Sequence, residues 1–151
     1  TFPKLNGMFF YVSRVRMSDV TDGTSNTIAA GEINLVPDVV GGSSVADCLT
    51  IGDLRGRIWG TKYVGGGTFT TLQGPNTSVP DTVTYGYHRD YAPISTTCSS
   101  GDNAVYARSR HTGGVHFLLA DGAARFISDN VDTATFRHLG TRAGGEVLGE
   151  F

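Results

Sequence analysis

In the run Val115-His116-Phe117-Leu118-Leu119-Ala120-Asp121-Gly122-Ala123-Ala124-Arg125-Phe126-Ile127, two apolar segments flank an Asp-Gly pair. Such a pair between β-branched and aromatic residues is the strongest short-range signal for a β-hairpin. A two-residue type I′ turn at Asp121-Gly122 sets Leu119 opposite Ala124 and Phe117 opposite Phe126. Those four residues then share one apolar face with Val115. His116, Leu118, Arg125 and Ile127 occupy the other, mixed face. Beyond the hairpin, Asp129 to His138 reads as a short helix with Asp132 as N-cap. Gly140 is its natural stop, and His138 suits the negative end of the helix.

Upstream, Met8 to Val12 (Met-Phe-Phe-Tyr-Val) reads as a buried strand. Ser18 to Gly23 is dense in capping and turn residues and predicts a single helical turn. Thr27 to Val36 resumes a strand pattern, with Glu32 embedded in it. Residues 37–110 are punctuated by Pro37, Gly41-Gly42, Gly65-Gly66-Gly67, Gly74-Pro75-Asn76 and Pro80-Asp81. They predict a loop-rich insertion with candidate strands at Arg57–Trp59, Thr68–Leu72 and Val83–His88. The fold class is therefore mainly β (α+β). It combines an antiparallel sheet with tight hairpins, one short C-terminal helix and a loop-rich middle segment. No internal repeat or long linker divides residues 1–151, so one domain is expected.

Composition agrees. The chain has 151 residues, of which 21 are glycine and only 17% are charged, too few for the surface of a helical bundle. A net charge of −2 and a pI near 6.0 leave no electrostatic basis for nucleic acid or an anionic membrane. No apolar run reaches the roughly 18 residues that a membrane span needs, so no membrane contact by this chain is expected. The sequence opens on Thr1 without a signal peptide, which reads as the product of processing.

Cys48 and Cys98 are the only cysteines, and both sit in loop-like surroundings. No histidines stand nearby at zinc-ligand spacing, so a disulfide is the preferred reading. It implies an oxidising compartment and would stabilise the fold by about 4 kcal/mol. Two free thiols in a reduced protein are the alternative.

Several blocks, taken in order, carry a resemblance. They are Asp22-Gly23-Thr24-Ser25-Asn26-Thr27-Ile28 ending at Gly31-Glu32, then Ser109-Arg110-His111-Thr112-Gly113-Gly114-Val115, then Ala120-Asp121-Gly122. The closing Leu139-Gly140-Thr141-Arg142-Ala143-Gly144-Gly145-Glu146 extends the set. Together they resemble the domain of unknown function that follows a prepilin-type leader in large planctomycete paralogue families. Its signature is a His, nine residues, then Asp-Gly, matched here by His111 and Asp121-Gly122. The resemblance implies secretion, a pseudopilin-like N-terminal helix and a β-rich head, of which this chain would be the C-terminal globular part. It carries no catalytic residues over. Some members bear a solute-binding label.

Ser25, His111 and Asp121 are the types of a hydrolase triad, but no Gly-x-Ser-x-Gly elbow surrounds Ser25, which suits turn chemistry beside Asp22-Gly23. Asp19, Asp22, Asn26 and Glu32 form an oxygen-rich set for which calcium would be the fitting cation. Local Asx turns explain the same residues without an ion. A histidine metal site would need His88, His111, His116 and His138 to converge; His111 is instead expected to bond backbone near the hairpin base. Gly65-Gly66-Gly67 lacks the Lys-Ser/Thr of a phosphate loop. Trp59, Tyr85, Tyr87 and Tyr91 are candidate ligand contacts for a sugar-stacking surface, and Tyr85 and Tyr87 equally suit core packing.

The expectation is a non-enzymatic, extracellular or cell-surface structural subunit of a pseudopilin-like fibre, without cofactor or metal. Its partners would be copies of itself or other envelope proteins. A carbohydrate- or solute-binding module is the alternative, and a hydrolase around His111 the third reading.

Overall fold

A computed structural model describes residues 6–10, 12–37, 52–57, 66–83, 86–95, 103–146 and 148–151. Its regular elements are β1 (Ile28–Gly31), β2 (Gly114–Leu119), β3 (Ala124–Ser128) and α1 (Thr133–Leu139). Single 3₁₀ turns at Met17–Asp19 and Thr24–Asn26 precede β1. The three strands form one antiparallel sheet in the order β1-β2-β3. The expected class, a β-rich α+β fold with one short C-terminal helix, is what the chain adopts. Among the described residues, no helix is long and apolar enough to cross a membrane.

The β2–β3 hairpin forms, with a different register. Leu118 pairs with Ala124, Phe117 with Arg125, His116 with Phe126 and Val115 with Ile127. The loop is three residues long: Gly122 N–H donates to Leu119 C=O (3.0 Å), and Leu119 N–H donates to Ala123 C=O (2.8 Å). Type I′ would need positive φ at both Asp121 and Gly122, yet only Gly122 has it (+89°). Asp121 instead accepts the Ala123 N–H through Oδ1 (2.9 Å), which favours a type I turn followed by a glycine bulge. Shifting one residue in register turns the whole of β3 over. Ile127 is therefore buried with Val115, Phe117 and Leu119, while Phe126 is 46% exposed.

The helix forms with the expected caps but is shorter at its start: expected from Asp129, it runs Thr133–Leu139, and Asp129 and Asn130 lie in a turn. Asp132 Oδ1 accepts the Thr135 N–H at 2.9 Å as N-cap, and Gly140 is the C-cap. Phe136 and Leu139 come from α1 to pack on the inner face of the sheet with Ile28, Ala107, Val115, Phe117, Leu119 and Ile127. Phe117 and Phe136 meet edge to face at 5.4 Å. A second cluster, Val83, Ile94 and Val105, belongs to the middle segment, and Phe69 packs against both.

Other expected elements are corrected. Met8–Val12 is not a strand among its described residues: Phe9 is 64% exposed, and Val12 takes φ +61°. That segment is held by the tail instead. Arg142 donates to the carbonyls of Asn6 (2.9 Å) and Gly7 (2.7 Å) and lies over the Phe10 ring. Apolarity foretold contact here, but against a guanidinium rather than a ladder. Gly23 does not stop a helical turn begun at Ser18; Ser18 lies inside the Met17–Asp19 turn, and Gly23 precedes the next one. The strand expected over Thr27–Val36 is limited to β1.

In the middle segment Arg57 sits in a turn, and Thr70 contributes one parallel bridge to Tyr106. Further isolated bridges join Asp81 to Ile94 and Thr82 to Ala104. Within Val83–His88, the described residues Val83 and Gly86–His88 are not in strand. The described parts of the middle are thus loop-rich, as expected. Cys48, Cys98, Trp59, Tyr85 and the Gly65 end of the glycine run lie outside the described residues.

Candidate functional site

β1 carries an irregularity between Ile28, paired with Leu119, and Ala30, paired with Leu118. Without it, the Ile28–Leu119 register would carry Glu32 opposite Val115, on the buried face. The extra residue reverses the alternation, so Glu32 leaves β1 opposite His116 on the exposed face. Glu32 N–H donates to His116 C=O (3.3 Å), and Glu32 C=O accepts from Arg108 N–H (3.0 Å). Gly31, one residue earlier, has no room for a side chain, since a Cβ there would lie 2.7 Å from the Phe117 ring.

His111 approaches from the turn before β2. Ser109 Oγ donates to Gly114 C=O (2.7 Å) and accepts from His111 N–H (3.2 Å), and Gly113 closes the turn at φ +84°. This delivers His111 Nε2 to within 3.3 Å of Glu32 Oε1. The second carboxylate oxygen accepts the His116 N–H (2.9 Å) and lies 3.6 Å from His116 Nδ1. The two imidazole rings meet edge to face at 4.9 Å, and His116 meets Phe126 in the same way at 4.9 Å. Slight burial pushes the Glu32 carboxyl up, but the His116 N–H, the His111 side chain and the charge of both rings outweigh it and hold it below the usual range.

His111 therefore engages a carboxylate, not the backbone partner expected for it. Among the described residues, Glu32, His111 and His116 are the one group of three such side chains with donor atoms within 4.8 Å of one another. By sequence alone, Glu32 groups with the oxygen-rich calcium candidates and the histidines stand apart. The bulge that unites them has no signature in the residues around Ala29.

The other candidates do not converge. His111 and Asp121 lie beyond opposite ends of β2, a six-residue strand roughly 17 Å long at ~3.4 Å per residue. Asp121 caps its own turn, and Ser25 sits in a 3₁₀ turn, so no triad forms. The calcium set is dispersed: Asp19 accepts from Arg16 N–H (2.8 Å), Asn26 donates to Asp22 C=O (3.2 Å), and Glu32 faces the histidines. Asp22 accepts the N–H groups of Gly144 (2.7 Å) and Gly145 (2.8 Å). Partial burial raises its pKa, yet those two bonds and one from Thr141 bring it below the ordinary value. His88 is set apart, its Nδ1 accepting from Ile94 N–H (3.4 Å), and His138 lies in α1.

Tyr91 borders a surface cleft of about 460 Å³ shared with Asn34, Asn76, His88, Arg108 and Ser109. Arg110 lies over the Tyr91 ring at 4.6 Å. Tyr87 is tied down through its backbone, donating to Asp53 (2.9 Å) and accepting from Arg55 (2.8 Å).

Those two partners belong to a buried network that the sequence reading missed. Arg55 pairs with Asp53 (2.7 Å) and Asp81 (2.9 Å), and Arg108 bonds the other oxygen of Asp81. All four are at most 4% exposed. Burial lowers the Arg55 pKa, but Asp53 and Asp81 more than reverse this, so it stays charged. Two guanidinium groups and two carboxylates balance, and carbonyls of Tyr87, Ala92, Thr77 and Val79 take further donors. Asp-Leu-Arg and Pro-Asp look like ordinary loop sequence, so nothing local marks these residues.

The ordered blocks of the sequence meet in space. Asp121 N–H donates to Thr24 C=O (3.1 Å) and Ala120 N–H to Thr27 C=O (2.8 Å). Asp22 joins the same region to the tail, and Glu32 joins β1 to His111. Gly114 is obligatory: a Cβ there would lie 2.3 Å from Ile127 C=O. Such a framework, a small bulged sheet whose turns are tied to one another and, through Asp22, to Gly144 and Gly145, defines a β-rich domain. A family model described as Protein of unknown function (DUF1559), SBP_bac_10, matches residues 1–134, and the chain belongs to that family. No curated protein and no solved structure matches it.

Proposed function

We propose that the chain is a non-enzymatic, extracellular head domain of a pseudopilin-like surface assembly, contacting copies of itself or other envelope proteins through its sheet. The observation that carries this reading is the outward face of the sheet. Leu118 (42% exposed) and Phe126 (46% exposed) are diagonal neighbours there, beside the β3 edge. An apolar sheet face next to an edge strand offers both burial and backbone pairing to a partner. The dispersal of Ser25, His111 and Asp121 supports attachment over turnover.

The test is sedimentation velocity over a wide concentration range, with electron microscopy of native material. Concentration-dependent association that Phe126→Lys and Leu118→Lys abolish is expected. A wild-type chain that stays monomeric at every concentration, with no fibres in native material, would sink the reading.

A second reading, an extracellular carbohydrate- or solute-binding module, draws on the family's SBP label and on the cleft beside Tyr91. Asn34, Asn76 and Arg108 would supply polar contacts there and Tyr91 an aromatic edge. A glycan and small-solute screen checks it, with hits expected to weaken in Tyr91→Ala.

A further inference from the structure

We propose that Glu32, His111 and His116 form a three-ligand site for a divalent transition-metal ion of the zinc class, open on the exposed face of the sheet. The inference goes beyond the assembly reading and stands whether or not subunits associate.

Donor chemistry comes first. Two imidazoles and one carboxylate are a set that zinc accepts, whereas calcium asks for six to eight oxygens. Spacing comes second. Zinc–ligand bonds of about 2.0–2.1 Å put the donors of a tetrahedral ion about 3.4 Å apart. His111 Nε2 lies 3.3 Å from Glu32 Oε1 and His116 Nδ1 lies 3.6 Å from Oε2; with one carboxylate oxygen as ligand, all three donor atoms lie within 4.8 Å of one another. Small side-chain rotations close the widest of these distances, and all three side chains are between 39% and 53% exposed and able to make them.

The surroundings also hold the donors in place. The Glu32 carboxylate is already aimed by the His116 N–H, and His111 by the Ser109–Gly113 turn. The Phe126 ring packs edge to face against His116 at 4.9 Å. Prior orientation of this kind lowers the entropic cost of assembling ligands from two strands and a turn. The β1 bulge then has a use, because it alone places Glu32 opposite His116.

Three protein donors leave a fourth tetrahedral position open. It lies on the sheet face that also carries Leu118 and Phe126. Water fills such a position in an isolated chain, and a donor from a bound partner can replace it.

Equilibrium dialysis of the whole chain against zinc chloride tests the site, followed by cobalt(II) titration read by visible absorption. One zinc per chain is expected, together with cobalt bands of tetrahedral intensity. His111→Ala, His116→Ala and Glu32→Gln should each weaken binding at least about tenfold. His138→Ala, a half-buried histidine in α1 away from the site, should leave it unchanged. Far-UV circular dichroism confirms that each variant is folded, and Glu32→Gln keeps an oxygen to accept the His116 N–H. No zinc uptake, or uptake that His138→Ala reduces as much as His111→Ala, overturns the proposal. Calcium binding at the same site overturns it too.

Discussion

Asp22 shows how one side chain can serve as a clasp. Its two carboxylate oxygens take the N–H groups of Gly144 and Gly145, more than a hundred residues away in sequence. Losing both bonds in Asp22→Ala should cost roughly 1–2 kcal/mol, read as a lowered urea midpoint with unchanged slope. Its pH signature follows from linkage. Asp22 and Glu32 both have depressed pKa values in the folded chain, so over the window between folded and unfolded values the unfolded chain binds more protons. The stabilisation from Asp22 is complete above about pH 5 and is lost as pH falls through its depressed value. Asp22→Asn should therefore flatten the acid limb of a stability-against-pH curve. An equally steep limb in the variant would show that other carboxylates carry it.

The hairpin depends on a single backbone conformation. Gly122 holds φ +89° in a three-residue loop, where an L-residue pays about 1–2 kcal/mol. Gly122→Ala should destabilise by about that much in denaturant titration, whereas a type I′ turn would also need positive φ at Asp121. Adding a residue between Asp121 and Gly122 should be worse than its loop length suggests. It disturbs the register that keeps Ile127 inside and Phe126 outside. The N-cap of α1 is a smaller device: Asp132→Ala should lower helix stability, and its fall is checked by the far-UV signal at the midpoint.

The described middle segment is organised by charge as much as by apolar packing. Val83, Ile94 and Val105 make only a small cluster, while Arg55, Asp53, Asp81 and Arg108 bind chain portions far apart in sequence. Removing Asp81 would leave Arg108 buried without its carboxylate. Asp81→Ala should cost about 3–5 kcal/mol, a large share of the 5–15 kcal/mol typical of a domain. Thermal unfolding and limited proteolysis would show it, with early cleavage in the middle segment while the hairpin core remains protected. Cleavage starting instead at the β2–β3 turn would contradict this division of the molecule.

Residue types and their immediate neighbours determined the hairpin's existence, the Asp132-capped helix, the loop-rich middle and the ordered family blocks, because turns and caps are settled by local backbone preference. Register, strand length and the composition of the site were decided by tertiary structure. Asp-Gly permits more than one turn, and burial of Ile127 selects among them. The bulge at Ala29, the meeting of Glu32 with His111 and His116, and the Arg55–Asp81–Arg108 network all join residues distant in sequence. Such contacts are stabilised only when the chain closes on itself, so no local pattern can announce them.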